Sequence, residues 1–452
     1  MIHPELATEI IRLALDRGAT DAECTLAEGE EFSAQVRMRA LETLKDAGSR
    51  RAGLRVLVGR RVGSAHTSDL SSAGVRQMVE SALAVAAIST EDPHADLPDA
   101  SELGALSGDL QLYSDDIFSI DTPARIQAAL ETEEAALSWD PRITNSEGAS
   151  FSAFTGSRVF ANSRGFLGSY RTSSCSLSTT PVARQGDAME RDFWYSSARS
   201  HSKLESPLAV GRRAAERTVR RLGARKVPTQ KVPVIFDSVT ARSLIGNIFD
   251  AVEGDSIYRK ASFLAGMLGE RVASEHVTVI DDGCMPGLFG TSPFDDEGVP
   301  SRRTVVIDRG VLQSYLLNSY AARKLGLRTT GNAARGITGN AGVGHGNFFL
   351  QKGERSPAEM IRGIRRGLYV TELIGQGVNV VTGDYSRGAV GLWIENGEFA
   401  YPVSEITIAA NLRQMLMDVE AAGSDLEFRG SVASPTVLPK KVLPSKRSRY
   451  IP

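Results

Sequence analysis

Small polar residues alternate with aliphatic and aromatic ones between residues 142 and 200. The period of two is clearest in residues 150–154 and 174–178. Because successive side chains of a β-strand point to opposite faces of its sheet, this pattern predicts antiparallel strands with one face in water. A chain with such a segment must devote much of its fold to a sheet, and the remaining segments decide what covers it.

Helices are predicted on both sides of the alternating segment. They begin at prolines or capping residues and carry apolar stripes. The predicted helices cover residues 4–18, about 70–87, about 122–139 and 208–222. Short strands are predicted at residues 21–26, 32–36 and 54–58, and a long loop at 89–114.

The last of these helices is strongly basic. An apolar stripe runs along one side of it, so we expect its arginines to form a solvated face. A surface for an anionic partner is the alternative interpretation. The arginines are Arg212, Arg213, Arg217, Arg220 and Arg221.

Composition changes after residue 223. Of the 43 glycines, 17 lie in residues 1–250 and 26 in the shorter remainder, which predicts a turn-rich β domain there. We therefore predict an α+β fold, with an N-terminal α/β domain of long helices and antiparallel strands and a C-terminal glycine-rich, β-dominated domain. The predicted boundaries are 1–223, a linker at 224–230, the second domain at 231–437 and a basic tail at 438–452. The tail, with Lys440, Lys441, Lys446, Arg447 and Arg449, is expected to be a solvated extension.

Charge and cysteine content exclude several classes of protein. With 52 basic and 54 acidic residues, the formal net charge of −2 argues against a direct nucleic-acid binder. Cys24, Cys175 and Cys284 are too scattered for a disulfide framework, and the closest two histidines are 28 positions apart. No stretch is apolar enough to span a membrane and no targeting signal is visible, so we expect a cytoplasmic protein.

Three consecutive acids precede a glycine in the second half of the chain. They are Asp295, Asp296 and Glu297. One interpretation is a contact to a cation or a substrate amine. The other is an exposed turn in which an aspartate accepts hydrogen bonds from backbone N–H groups.

A loop rich in glycine and asparagine follows at residues 330–336. Asn332 and Arg335 lie in it and could cradle an anion, but the loop lacks the ending of a phosphate-binding loop. His345 lies nearby in a second glycine-rich run. We interpret this lone histidine as a hydrogen-bonding loop residue rather than a metal ligand.

Residues 241–255 are predicted to form a core helix. Leu244, Ile248 and Val252 contribute to a single apolar face. Asp250 and Glu253 lie one helical turn apart, and two carboxylates so placed are usually solvated.

Together these motifs resemble the TldD/PmbA family, whose members are also called modulators of DNA gyrase. The resemblance covers nearly the whole chain, and several independent motifs occur in the family's order. They are residues 53–57, 63–70, 262–264, 294–300, 330–335, 367–370, 393–397 and 430–435.

The resemblance also locates a zinc motif that this chain lacks. The TldD branch carries His-Glu-x-x-x-His on the helix that opens the second domain, and a cysteine near its C-terminus. Ile245, Gly246 and Asp250 occupy the positions of the first histidine, the glutamate and the second histidine. No cysteine follows Cys284, so neither a metal nor a catalytic residue is expected here.

The chain therefore resembles the PmbA branch, also called TldE. The resemblance implies a non-catalytic partner subunit of a TldD-like zinc metalloprotease, with the zinc in the partner, that helps to bind and enclose unfolded or modified peptides. Alone, such a chain could form a homodimer. The expected peptide- or partner-binding residues are Asp295, Asp296, Glu297, Asn332 and Arg335.

Two alternatives stay open at this point. One is a stand-alone metallopeptidase-like hydrolase, with an atypical metal site built from Asp250, Glu253 or the cluster around Asp295. The other is a binding protein that modulates gyrase or a toxin–antitoxin partner, as the family's other name suggests.

Overall fold

A computed structural model describes residues 3–439 and the backbone of residues 443–446. The helices are α1 (Pro4–Asp16), α2 (Ser72–Ile88), α3 (Thr122–Leu137), α4 (Pro207–Val219), α5 (Ser238–Val252), α6 (Gly254–Tyr258), α7 (Ser319–Leu325), α8 (Pro357–Arg362) and α9 (Leu412–Met417). The predicted helices correspond to α1 to α5. Capping explains their starts, since Ser71, Asp121, Ser206 and Asp237 accept hydrogen bonds from the first turns of α2, α3, α4 and α5.

The strands complete the predicted α+β fold. The first seven are β1 (Asp21–Arg37), β2 (Ala40–Val58), β3 (Arg61–Thr67), β4 (Ile143–Asn162), β5 (Leu167–Gln185), β6 (Ala188–Arg191) and β7 (Trp194–Ala198). Then come β8 (Val234–Phe236), β9 (Val279–Asp282), β10 (Arg303–Asp308), β11 (Val311–Leu312), β12 (Ala333–Ala334), β13 (Gly342–Val343), β14 (Asn347–Leu350) and β15 (Arg366–Ile374). The last are β16 (Val378–Asn379), β17 (Asp384–Glu395), β18 (Glu398–Asn411), β19 (Val419–Ala422), β20 (Val432–Ala433), β21 (Val437–Pro439) and β22 (Leu443–Lys446).

An antiparallel sheet dominates the N-terminal half. Its strand order is β3-β2-β1-β4-β5-β6, with β7 also paired to β5. The prediction of antiparallel strands in residues 142–200 is confirmed by β4 to β7. The prediction of two separate strands at 21–26 and 32–36 is wrong, because the polar residues between them pair with β2 and β4 and continue one strand, β1.

The two faces of this sheet have different partners. On one face, Cys24 and Leu26 pack with α1 and α2, and Phe32 and Ala34 pack with α3 and α4. On the other face, Glu23 contacts the C-terminal half of the chain. Strand periodicity therefore directs alternate residues of β1 into a core and towards the second half of the molecule.

The solvated face predicted for the basic helix α4 is present at Arg212 and Arg213, which are exposed, but it does not extend to the later arginines. Arg217 and Arg221 are buried, and both lie within 4 Å of Asp192. Arg217 also lies 3.7 Å from Asp237, and Arg221 lies 2.6 Å from Glu372, so this network links the two halves of the chain. Buried arginines require such paired carboxylates, which the linear sequence does not reveal.

Sheets and short helices build the C-terminal half around one large core. A mixed sheet has the order β19-β21-β8-β15-β17-β18-β22, and a smaller one has the order β11-β10-β9-β14-β20. Helix α5 buries Leu244, Ile245 and Ile248 in the core between them. The predicted helix at 241–255 is interrupted at Glu253, whose carboxylate caps the short helix α6.

The end of the described chain is part of a sheet. Strand β22 pairs antiparallel with β18, within the segment expected to be a solvated tail. Lys440, Lys441, Arg447 and Arg449 lie outside the described residues. Over the described part of the chain, no helix is both long and apolar enough to cross a membrane.

Candidate functional site

The acidic turn that precedes β10 is buried rather than exposed. Asp295 is only 6% exposed, and its carboxylate accepts hydrogen bonds from the N–H groups of Glu297, Val299 and Ala333, at 2.9, 3.0 and 2.9 Å. The expected capping of backbone N–H groups is therefore present, but the expected exposure is wrong. Because both of its oxygens accept hydrogen bonds from backbone N–H groups, the Asp295 carboxylate holds the loop 330–336 in place.

Asp296 and Arg335 join the acidic turn to the same loop. The Asp296 carboxylate accepts a hydrogen bond from the Arg335 N–H group at 2.6 Å and pairs with the Arg158 guanidinium at 2.8 Å. In return, Arg335 Nη2 donates to the Asp296 carbonyl oxygen at 2.7 Å. These reciprocal contacts fix the loop against β4, which carries Arg158.

Two further carboxylates lie beneath this loop. Glu23 forms ion pairs with Arg335 and with Arg55, the latter at 3.0 Å. Burial alone would raise the pKa of Glu23, but the two arginines together hold it below its usual value. Glu297, 7% exposed, accepts a hydrogen bond from the Ser319 N–H group at 2.9 Å and caps the start of α7.

A cavity of about 190 Å³ opens beside the acidic turn. Asn332 lines it, and its side-chain amide donates to Asp281 Oδ2 at 2.7 Å. Asp281, at the end of β9, is 2% exposed, and its Oδ1 completes no hydrogen bond within the described residues. The five residues predicted as a site are thus brought together by these contacts. Three of them, Asp295, Asp296 and Asn332, line the same cavity as Asp281, a buried aspartate that the sequence reasoning did not single out.

His345 forms another part of the cavity wall. Its Nδ1 lies 2.8 Å from the Gly346 carbonyl oxygen, as expected for a hydrogen-bonding loop residue. The ring also packs edge-on against Phe249 of α5, with 4.7 Å between ring centroids. The histidine therefore lies between the cavity and α5.

Burial shapes the ionisation of the acids at this site. It raises the pKa of Asp281 to about 6, while Asn332, His345 and the nearby Gly346 N–H group act in the opposite direction. Burial and the neighbouring Glu297 raise the pKa of Asp295. On α5, partial burial followed by repulsion from Glu253 raises the pKa of Asp250.

The three zinc-motif positions of α5 do not form a donor set. Ile245 is 2% exposed and packs in the apolar core, whereas Asp250 lies on the exposed side of the helix. An isoleucine side chain offers no donor atom, and Asp250 alone is too few ligands for a tetrahedral zinc site. Gly246 has no side chain that could act as a base. These residues do not fit a zinc ion.

An atypical metal site finds no support in the geometry. Across residues 3–439, no three or more His, Cys, Asp or Glu side chains cluster closely enough to hold a metal ion. The Glu253 carboxylate accepts hydrogen bonds from the N–H groups of Ser256 and Asp255 at 3.0 and 3.3 Å. Asp295 is engaged in the same way, so two of the donors named in that hypothesis, Glu253 and Asp295, already accept hydrogen bonds from the backbone.

Of the two site residues missed from the sequence, Asp281 had a recognisable signal and Glu23 did not. Asp281 follows the buried apolar pair Val279 and Ile280 at the end of a strand, where an acid is unusual and would have been a usable signal. Glu23 lies on the polar side of an alternating strand and gave no comparable signal. Their convergence with Asn332 and Arg335 depends on contacts across more than 50 residues.

Family models match three successive segments that together cover most of the chain. The models describe PmbA/TldA metallopeptidases, with domain 1 matching residues 22–86, the central domain 115–222 and the C-terminal domain 229–444.

Individual relatives agree with these matches. The chain is 40% identical to metalloprotease PmbA of Escherichia coli, over 94% of this chain and 92% of that protein. It is 37% identical to a metalloprotease PmbA homologue of Haemophilus influenzae, over 96% of this chain and 93% of the relative. A crystal structure of a candidate modulator of DNA gyrase from Bacteroides thetaiotaomicron superposes with a TM-score of 0.91, at 28% identity and 98% coverage of both chains. The chain therefore belongs to the PmbA/TldD family of metalloprotease-like proteins.

Proposed function

We propose that this chain is the non-catalytic, TldE-type subunit of a TldD-like zinc metalloprotease, and that it helps to bind and enclose unfolded or modified peptides. The observation that carries the proposal is the chemistry of α5. Its family motif positions hold a core isoleucine, Ile245, a glycine, Gly246, and an exposed aspartate, Asp250, which cannot together bind zinc and activate water.

In this proposal, the partner subunit supplies the zinc and the general base. This chain contributes part of the surface that encloses a peptide, and strand edges with which the peptide pairs. Main-chain hydrogen bonds at such an edge hold an extended peptide without requiring a particular sequence. The thiols Cys24, Cys175 and Cys284 are unpaired, which supports a reducing, cytoplasmic setting.

The test is a cleavage assay with purified components. We expect the chain alone to contain no stoichiometric zinc and to leave an unfolded peptide intact. A TldD-type partner that carries His-Glu-x-x-x-His is expected to cleave the peptide faster when this chain is added. Stoichiometric zinc in the lone chain, or cleavage by it, would exclude the proposal.

Two matched variants sharpen this assay. Replacing the motif glutamate of the partner with glutamine should abolish cleavage by the mixture. Gly246→Glu places a carboxylate at the corresponding position of this chain, where a side chain has room. This variant should leave the rate of peptide cleavage by the mixture unchanged, because no metal-bound water lies there to activate.

The gyrase-modulator alternative has one observation in its favour, the description of the Bacteroides relative. A pull-down of purified gyrase by this chain, without any protease partner, would support that function instead.

A further inference from the structure

The cavity between Asp281 and His345 has the features of a binding site for a positively charged donor. Asp281 is 2% exposed and lines the cavity. One carboxylate oxygen, Oδ2, is held by Asn332 at 2.7 Å. The other, Oδ1, completes no hydrogen bond in the described part of the chain, although the Gly346 N–H group lies close enough to favour the charged carboxylate. A buried carboxylate oxygen without a partner is costly unless a ligand completes its hydrogen bonds.

His345 adds a second acceptor to the same wall. A carbonyl oxygen can only accept, so the 2.8 Å contact between Nδ1 and the Gly346 oxygen places the proton of the neutral ring on Nδ1. Nε2 is then a lone-pair acceptor. When the His345 ring is neutral, an aspartate oxygen and an imidazole nitrogen of this wall both accept, which suits a ligand rich in N–H groups.

The other charged groups of the cavity wall indicate which kind of ligand fits. Asp295 and Asp296 have their carboxylates engaged by backbone N–H groups and by Arg158. Arg302 is the basic side chain on the wall. Its Nη1 donates to the Thr329 carbonyl oxygen at 3.5 Å, and its other N–H groups suit a carbonyl oxygen of a ligand. An amino group beside a carbonyl matches this arrangement better than an isolated cation does.

We propose that this cavity binds the free α-amino group of a peptide, with the ammonium at the Asp281 carboxylate and the adjoining carbonyl oxygen towards Arg302. This inference rests on the proposed function, because the ligand is taken to be the enclosed peptide. The cavity volume of about 190 Å³ leaves room for a terminal residue. A metal ion is a poorer occupant, because Asp281 and His345 are only two donors and no third acid, cysteine or histidine of residues 3–439 completes a cluster.

The test measures peptide binding to the full chain alone, by calorimetry and by the NMR shifts of the His345 ring. The probes are a hexa-alanine amide with a free amino terminus, its Nα-acetylated form, and an Nα-acetylated form that contains one lysine. We expect the free-amine peptide to bind roughly tenfold more tightly than both acetylated forms, the ratio typical of losing a charged hydrogen bond. Recovery of affinity by the lysine peptide would overturn the assignment to an α-amino group.

Two variants distinguish binding of the amine at Asp281 from a general effect of negative charge on peptide affinity. Asp281→Asn keeps the shape and should remove the preference for the free amine. Asp250→Asn removes an exposed carboxylate that also interacts with His345 but does not line the cavity, and it should leave the preference intact. Equal binding of the free and acetylated peptides by the wild type, or no binding of either, would overturn the inference.

These results are distinguishable from a failure of the proposed function. Amine selectivity by the lone chain without partner-dependent cleavage would leave the site standing and exclude the partner role. Partner-dependent cleavage without amine selectivity would support the partner role and exclude the amine site.

Discussion

Glu23 of β1 and Arg335 form a buried ion pair across 312 positions of sequence. Their side chains are 2% and 3% exposed, and Arg335 also lies over the ring of Phe160. The pair ties the N-terminal sheet to the loop that the acidic turn holds. One contact therefore joins the sheet to the wall of the candidate site.

Removing Arg335 should destabilise the protein strongly. Arg335→Ala leaves Glu23 with Arg55 alone and is expected to cost about 3–5 kcal/mol, as for other broken buried pairs. Urea unfolding measures this cost. Lys45→Ala is the matched control, because Lys45 pairs with Glu31 on the surface at 2.8 Å, with both side chains about half exposed. It should cost about 0–1 kcal/mol. Equal costs for the two variants would contradict the role assigned to Glu23 and Arg335.

Gly53 is expected to tolerate no side chain. A Cβ at this position of β2 would collide with the carbonyl group of Ile337, in the loop that follows Arg335. Gly53→Ala should therefore lower the unfolding temperature and speed hydrogen exchange in residues 333–339. Gly246→Ala is the control, because a Cβ there meets nothing within 4 Å. In the interior of α5 it should stabilise the protein by about 0.5–1 kcal/mol. A Gly53→Ala protein as stable as the wild type would show that the loop does not pack on β2.

Restoring the first motif histidine should damage the core without creating a zinc site. Ile245→His places an imidazole among the apolar residues around α5 and is expected to cost about 2–4 kcal/mol. Thermal unfolding and metal analysis test both parts of this statement. Asp250→His changes an exposed position of the same helix and should alter stability by less than about 0.5 kcal/mol. Tight zinc binding by the Ile245→His variant would refute the packing argument.

Stability should depend on pH through Asp281. Burial raises the pKa of this carboxyl to about 6 in the folded protein, above its value of roughly 4 in an unfolded chain. Between these values the folded state holds more protons than the unfolded state, so stability falls as the pH rises. From about pH 4 to about pH 7, the wild type should lose on the order of 2 kcal/mol more than Asp281→Asn.

Chemical denaturation across this range measures the difference. Asp187→Asn is the control, since Asp187 is exposed in the turn between β5 and β6, and it should follow the wild-type curve. Parallel curves for wild type and Asp281→Asn would mean that the pKa of Asp281 is the same in the folded and unfolded states.

Several elements could be predicted because their signals are local. A capping aspartate and a proline mark the start of α3, and alternation marks β4 and β5. The continuity of β1 could not be predicted, because its central residues are polar and are held only by neighbouring strands. Arg217 and Arg221 looked solvated for a similar reason, since their carboxylate partners lie on other elements.

The sequence by itself determined the α+β class, the family and the absence of zinc ligands at Ile245 and Gly246, because these depend on residue identity and short-range pattern. Only the tertiary structure decided that the acidic turn is buried and that Asp281, Asn332 and His345 meet at one cavity. Hydrogen bonds across tens to hundreds of residues bring these groups together. Burial then sets their charge, and neither effect is visible in the linear order of the residues.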